Sequence, residues 1–340
     1  MKKIGKFILL LLVLAGIWYV GYELHSTNHI NHNNVQLQIK NKYFGVNIAG
    51  PEFAQPMYTD SKYTSYQYFN KKGLTLIRIP FTWERLQPTL QGDLDANQLI
   101  SYTNMIYAAQ SSGEKIIIEA HNFGLYNNAA LTDNDLQNFS DLWAKITQKF
   151  SNGYSGIWGY ELMNEPHDLP GNCQTWKSLS QAAINAIRQK DTTHYILVPG
   201  YRWQSATDWQ SASDCLKDLT DPSNKLIYSA HIYFDEDKSG VYNSSCTDTD
   251  IGVKRAQPFL AWLAKNNKIG MFTEYGIPQD SCWQKTLDNF MTTIYNNPNI
   301  IGGTYWAAGP AWGGYALSVE PENGKDKPQM KILEKYPTTK

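Results

Sequence analysis

Net charge is nearly absent from this chain of 340 residues, in which 30 Lys and Arg stand against 31 Asp and Glu. A nucleic-acid partner asks for a basic face or stripe, so this balance excludes nucleic acid as the expected ligand. Cysteine is scarce as well. Its four positions, Cys173, Cys215, Cys246 and Cys282, form no CxxC pair and carry no zinc signature. There is no HExxH run for a metalloprotease-type zinc helix. Nor is there a Gly-Lys phosphate loop or a dinucleotide fingerprint, and GYSG at 153–156 is one residue short of a G-x-S-x-G elbow. We therefore expect no cofactor and no metal. No linker rich in proline, glycine or serine divides the chain after its N-terminal segment, so one catalytic domain over 41–340 is expected in spite of a length that could hold two.

Long apolar runs are rare too. The one that stands out, Phe7 to Tyr22, follows the basic start MKKIGK. It is longer than a usual signal-peptide core and shorter than the ~20 residues that span a bilayer with ease. Residues 1–22 are read as a signal peptide or signal anchor, the uncleaved anchor being favoured, with the lysines left in the cytoplasm. The protein is then exported, either secreted or tethered through 7–22 and facing the periplasm or the exterior. HSTNHINHNN opens a polar linker over 23–40. Export makes disulfides the natural use of four cysteines. Three connectivities exist, and Cys173–Cys215 with Cys246–Cys282 is the expected one.

What the chain does have is aromatic surface. Its 11 Trp and 22 Tyr often lie in polar or Gly-rich surroundings, which suits the binding of flat, hydroxylated sugar rings. It also has eight β-rich apolar runs: YFGVNIAG (43–50), LTLIRIPF (74–81), KIIIEAHN (115–122), IWGYELMN (157–164), YILVPG (195–200), LIYSAHIYF (226–234), IGMFTEYG (269–276) and IIGGTYWAAG (300–309). Amphipathic stretches such as NDLQNFSDLWAKITQKF lie between them. Near-continuous apolar strands separated by helices argue for a parallel sheet with both faces covered, and eight such units for a (β/α)8 TIM barrel of class α/β. Such a barrel gathers its strand ends, and hence Asn47, Arg78, His121, Asn122, Asn164, Glu165, His231, Tyr233, Glu274 and Trp306, at one mouth.

Two carboxylates occupy comparable places there, Glu165 after the fourth run and Glu274 at the end of the seventh. A pair of carboxyl groups ~5–5.5 Å apart can cleave a glycosidic bond with retention, one attacking the anomeric carbon while the other protonates the leaving oxygen and later activates water. Tyr233 and Arg78 are placed to donate to Glu274. The pieces RIPFTWERLQP (78–88), IIEAHNFGLYN (117–127), WGYELMNEPHD (158–168), HIYFDEDKSG (231–240), FTEYGIP (272–278) and TYWAAG (304–309) resemble, in this order, glycoside hydrolase family 5, the retaining cellulase family. The resemblance covers 43–315 and is nearest to the endo-β-1,4-glucanase branch.

It implies Glu165 as acid/base and Glu274 as nucleophile. Asn164 would meet the sugar 2-hydroxyl, with Arg78, His121, His231 and Tyr233 as the supporting shell and Trp306 as the floor of the cleaving subsite. It implies a β-glucan substrate, and a monomer without a nucleic-acid partner is expected. Trp83, Trp158, Trp203 and Trp312 are candidate sugar platforms. Phe123 departs from the tyrosine often found in the family. β-Mannanase or another β-glycanase activity, and a non-catalytic glycan-binding barrel, are the alternatives.

Overall fold

The computed structural model describes residue 39, residues 41–50, residue 52 and residues 64–339. The apolar leader and nearly all of the polar linker lie outside the described residues. The eight apolar runs form eight parallel strands: β1 (Tyr43–Ile48), β2 (Leu76–Phe81), β3 (Lys115–Ala120), β4 (Ile157–Glu161), β5 (Tyr195–Pro199), β6 (Leu226–Ile232), β7 (Gly270–Tyr275) and β8 (Ile300–Ala308). Each pairs with the next, and β8 returns to β1, which closes the barrel.

Helices cover its outside. Leu136–Phe150 shows why: Phe139, Leu142, Trp143, Ile146 and Phe150 recur at helical spacing and are buried, so this helix has one apolar stripe to hide. Asp95 accepts from the backbone N–H groups of Asn97 and Gln98, and Asp280 from those of Cys282 and Trp283, which satisfies donors that would otherwise be unpaired at two helix starts. Both expected disulfides are present. Cys173–Cys215 ties the helix Asn172–Arg188 to the turn Asp214–Asp218, and Cys246–Cys282 ties the loop after β6 to the helix Ser281–Asn296. Among the described residues no helix is long and apolar enough to cross a membrane.

The inside of the barrel changes character along its axis. Near the strand starts, Leu76, Ile117, Trp158, Leu197, Ile227, Met271 and Ile301 pack as one apolar layer. Because side chains alternate along a strand, the residues two further on share that face. They include Arg78 after Leu76, Glu119 after Ile117, Ser229 after Ile227 and Thr273 after Met271, all buried. An apolar floor thus carries a polar middle layer, and the reactive groups stand above it.

Candidate active site

Arg78 is the hub of the middle layer. It is wholly buried and donates through Nε to Glu161, through Nη1 to Glu274 Oε1 at 2.8 Å and Asn47 Oδ1 at 2.9 Å, and through Nη2 to Asn164 Oδ1 at 2.9 Å. Glu119 Oε1 lies 3.5 Å from Nη2. Burial works against the guanidinium's charge, but Glu119, Glu161 and Glu274 outweigh it and hold the proton more firmly than usual. Burial likewise opposes ionisation of Glu161. Arg78, His231 and the Ser229 hydroxyl overcome it, so this carboxyl titrates below its ordinary range. Since Arg78 can only donate, it turns the oxygen of Asn164 inward and leaves the NH2 end for the cleft that Asn164 lines.

The Asn-Glu-Pro run now has a physical explanation. After β4 the chain pairs with both neighbouring strands, Leu162 N–H donating to Leu197 O at 3.1 Å and Asn164 N–H to Ala120 O at 2.7 Å, and then turns with Glu165 in the left-handed region at φ +43°. That turn swings the Glu165 side chain into the mouth. Its backbone N–H donates to Gln204 Oε1 at 2.8 Å, and its carbonyl faces His167 Nδ1, also at 2.8 Å. His231 Nδ1 lies 2.8 Å from Glu165 Oε1 and 3.5 Å from Glu274 Oε2. Single oxygens of Glu165 and Glu274 and a ring nitrogen of His231 all lie within 4.8 Å of one another.

The two glutamates differ in what holds them. Glu274 receives the Arg78 N–H and, at 3.0 Å, the Tyr233 hydroxyl. Burial raises its carboxyl, while His231 and Arg78 pull it back. Burial also raises Glu165, to about 7, although His121 and Arg78 pull it down. Burial lowers His231 to about 4, so its imidazole is neutral at pH 7. His121 goes the other way. Burial disfavours its charge, but the contact with Glu119 at 3.0 Å and the nearby Glu52 raise it to about 9. Burial and the neighbouring Glu274 keep the Tyr233 phenol protonated, hence a donor.

Two cavities share Glu165 and Tyr233 in their walls. One lobe, about 420 Å³, is lined by Glu165, Trp203, Asp208, His231, Tyr233 and Lys238 among others. The second, about 200 Å³, includes His121, Phe123, Asn164, Glu274, Trp306 and Tyr315. Trp306 stacks on His121 with ring centroids 5.8 Å apart, and Trp312 meets its edge at 5.4 Å. Trp203 is 46% exposed and lies flat on His167 at 4.5 Å. The other two candidate platforms are corrected. Trp83 is wholly buried against Tyr126 and Phe139, and Trp158 belongs to the apolar floor, packed between Tyr43 and Tyr195.

All eight residues picked from the sequence, Arg78, His121, Asn164, Glu165, His231, Tyr233, Glu274 and Trp306, converge on this mouth. Sequence reasoning missed Glu119 and Glu161, whose signal was a lone carboxylate inside an otherwise apolar buried strand. It also missed Gln204, for which no local pattern spoke.

A family model described as cellulase (glycosyl hydrolase family 5) matches residues 34–311. A probable endo-beta-1,4-glucanase B of Neosartorya fischeri is 33% identical over 308 residues, covering 87% of this chain and 91% of that protein. The structure of Pseudomonas stutzeri endoglucanase Cel5A in complex with cellobiose is 37% identical with a TM-score of 0.79, covering 86% of this chain and 92% of that one. That of XacCel5A in complex with cellopentaose is 33% identical with a TM-score of 0.81, covering 87% and 99%. A closed eight-stranded parallel barrel, a paired-carboxylate mouth and a family match over most of the length agree: this chain is a glycoside hydrolase belonging to glycosyl hydrolase family 5, the cellulase family.

Proposed function

We propose that the protein is a retaining endo-β-1,4-glucanase with Glu274 as nucleophile and Glu165 as acid/base. The observation that carries this reading is the close approach of two carboxylates in unlike surroundings, within 4.8 Å and with only one of them bonded to a buried arginine. A gap of ~5 Å leaves room for the anomeric carbon alone, whereas inversion needs ~6.5–9.5 Å to admit a water as well. In the first step a Glu274 oxygen bonds to the anomeric carbon as the bond to the leaving oxygen breaks, and the Glu165 proton passes to that oxygen. In the second, Glu165 takes a proton from water, the water oxygen bonds to the anomeric carbon and the Glu274 carboxylate departs. Arg78 and Tyr233 keep Glu274 ionised. The Asn164 NH2 is available to a sugar 2-hydroxyl, where a hydrogen bond that tightens in the oxocarbenium-like transition state speeds both steps.

Two adjoining cavities that share Glu165 and Tyr233 offer room for several sugar units, which suits cleavage inside a chain. The complexes of relatives with cellobiose and cellopentaose support a β-1,4-glucan as substrate. The basic start and apolar run of the leader support export with a tether through residues 7–22. The test of the roles is Glu165→Ala. Turnover of cellopentaose should fall by roughly 10²–10⁴, while formation of the glycosyl-enzyme from a dinitrophenyl cellobioside, whose leaving group needs no proton, should survive. Equal loss on both removes Glu165 from the acid/base role. Parallel assays on carboxymethylcellulose and mannan test the substrate, and cleavage of mannan alone would contradict it.

A further inference from the structure

Gln204 is wholly buried, yet its backbone lies in the left-handed region at φ +51°, as do those of its neighbours Arg202 (+59°) and Trp203 (+55°). That region crowds Cβ against the carbonyl of any L-residue. Three successive non-glycine residues stay there only where surrounding bonds hold them. Here the bonds lead to the reactive pair. Arg202 N–H donates to Pro166 O at 2.8 Å, Ala206 N–H donates to His231 O at 3.0 Å, and Gln204 O accepts from His231 N–H at 2.8 Å.

The side chain completes the arrangement. Gln204 Oε1 accepts from the Glu165 N–H at 2.8 Å, while Nε2 donates to Glu161 Oε1 at 3.0 Å and Ser229 Oγ at 3.1 Å. One residue therefore grips the backbone of Glu165 and the backbone of His231, whose Nδ1 meets the Glu165 carboxylate. It anchors both on Glu161, which Arg78 holds from the other side. An amide suits the place because it offers an acceptor to Glu165 and a donor to an ionised carboxylate at opposite corners of one small group.

We propose that Gln204 is a positioning residue for the acid/base: by fixing the Glu165 backbone and His231 together, it sets the aim of the Glu165 carboxyl at the leaving oxygen. This rests on the assignment of Glu165 as acid/base. Gln204 bonds the Glu165 backbone directly and reaches Glu274 only through Glu161 and Arg78 or through His231, so its loss should damage proton delivery more than nucleophilic attack.

The test compares two reactions in the full-length protein. One is kcat/KM on cellopentaose, which needs a proton on the leaving oxygen. The other is the rate at which 2,4-dinitrophenyl 2-deoxy-2-fluoro-cellobioside labels the enzyme, which does not. Gln204→Met should lower the first roughly a hundredfold, the effect of a misplacement of about 1 Å, and leave the second within about threefold. Should that variant fail to fold, Gln204→Asn, whose shorter amide cannot reach the Glu165 N–H, takes its place with the same expected split. Gln204→Glu should recover most of the activity, because a new carboxyl beside Glu161 keeps a proton and so retains both the acceptor and the donor. Equal loss in both reactions, or no loss in either, overturns the proposal. Glu165→Ala run alongside separates the two readings: if it fails to show the split, the acid/base assignment falls, and if it shows the split while the Gln204 variants do not, only this inference falls.

Discussion

Replacing Arg78 by methionine should damage both the fold and the chemistry, and by amounts that can be worked out. The guanidinium is 0% exposed and forms ion pairs with Glu161 and, at 2.8 Å, with Glu274, while orienting Asn47 and Asn164. Methionine fills much of the volume, so packing changes little. The charge and all five donors go. Removing one partner of a buried ion pair costs about 3–5 kcal/mol, because the other charge stays behind without compensation. Glu161 retains the hydrogen bonds from Ser229, Thr273 and Gln204, which places the expected loss toward the lower end, about 3 kcal/mol. Against a usual total of ~5–15 kcal/mol this is a large fraction, and denaturant titration will read it directly.

The pH profile provides a second, independent reading of the same substitution. Burial already raises Glu274, and Arg78 is one of the groups pulling it back. Without that cation the carboxyl rises further, so the acid limb of kcat/KM moves to higher pH, since the nucleophile must be ionised. The maximal rate should fall roughly a hundredfold or more for want of the N–H on Glu274. Adding Glu161→Gln to Arg78→Met should return at least about 1 kcal/mol, because the stranded charge is removed with its partner. A stability loss under about 1 kcal/mol, an unmoved acid limb and strictly additive effects would together refute the view of Arg78 as the charge that makes this layer tolerable.

Two further predictions concern stability away from the mouth. Burial raises the Glu114 carboxyl to about 9, from an ordinary value near 4.5, so the folded protein progressively loses stability as pH climbs from the lower value through the upper one. At pH 7 the deficit is roughly 3 kcal/mol, and Glu114→Gln should abolish it, giving a flatter unfolding free energy between pH 5 and pH 8; a variant with the wild-type slope would show that the carboxyl is not the cause. The disulfides close loops with sequence separations of 42 and 36, each worth about 4 kcal/mol if it acts by restricting the unfolded chain. Cys173→Ser paired with Cys215→Ser, and Cys246→Ser paired with Cys282→Ser, should each lower the denaturant midpoint by a similar amount; no change in either would place the stabilisation elsewhere.

Much of this architecture could be read in the chain because buried parallel strands must be apolar nearly throughout. LTLIRIPF and KIIIEAHN announce themselves for that reason, and polar residues closing such runs mark the mouth of a barrel. The tryptophans were harder, since their surroundings are made by distant segments. Trp83, in FTWERL, and Trp203, in YRWQS, have equally polar neighbours in sequence, yet one is sealed against Tyr126 and Phe139 while the other lies open on His167. Glu161 looks like a minor member of WGYELMNEPHD until Arg78, Ser229, Thr273 and Gln204 are seen around it. Gln204 was invisible because nothing in YRWQ, which has no glycine, signals a left-handed turn.

The most direct measurement is the configuration of the product at the moment of cleavage. Proton NMR of cellopentaose during the first minutes of hydrolysis distinguishes the two anomers before they equilibrate. With carboxylates as close as Glu165 and Glu274, the proposed double displacement through a glycosyl bond to Glu274 predicts the β-anomer first. Initial release of the α-anomer would mean that water attacks directly, and the double displacement derived from this gap would be wrong.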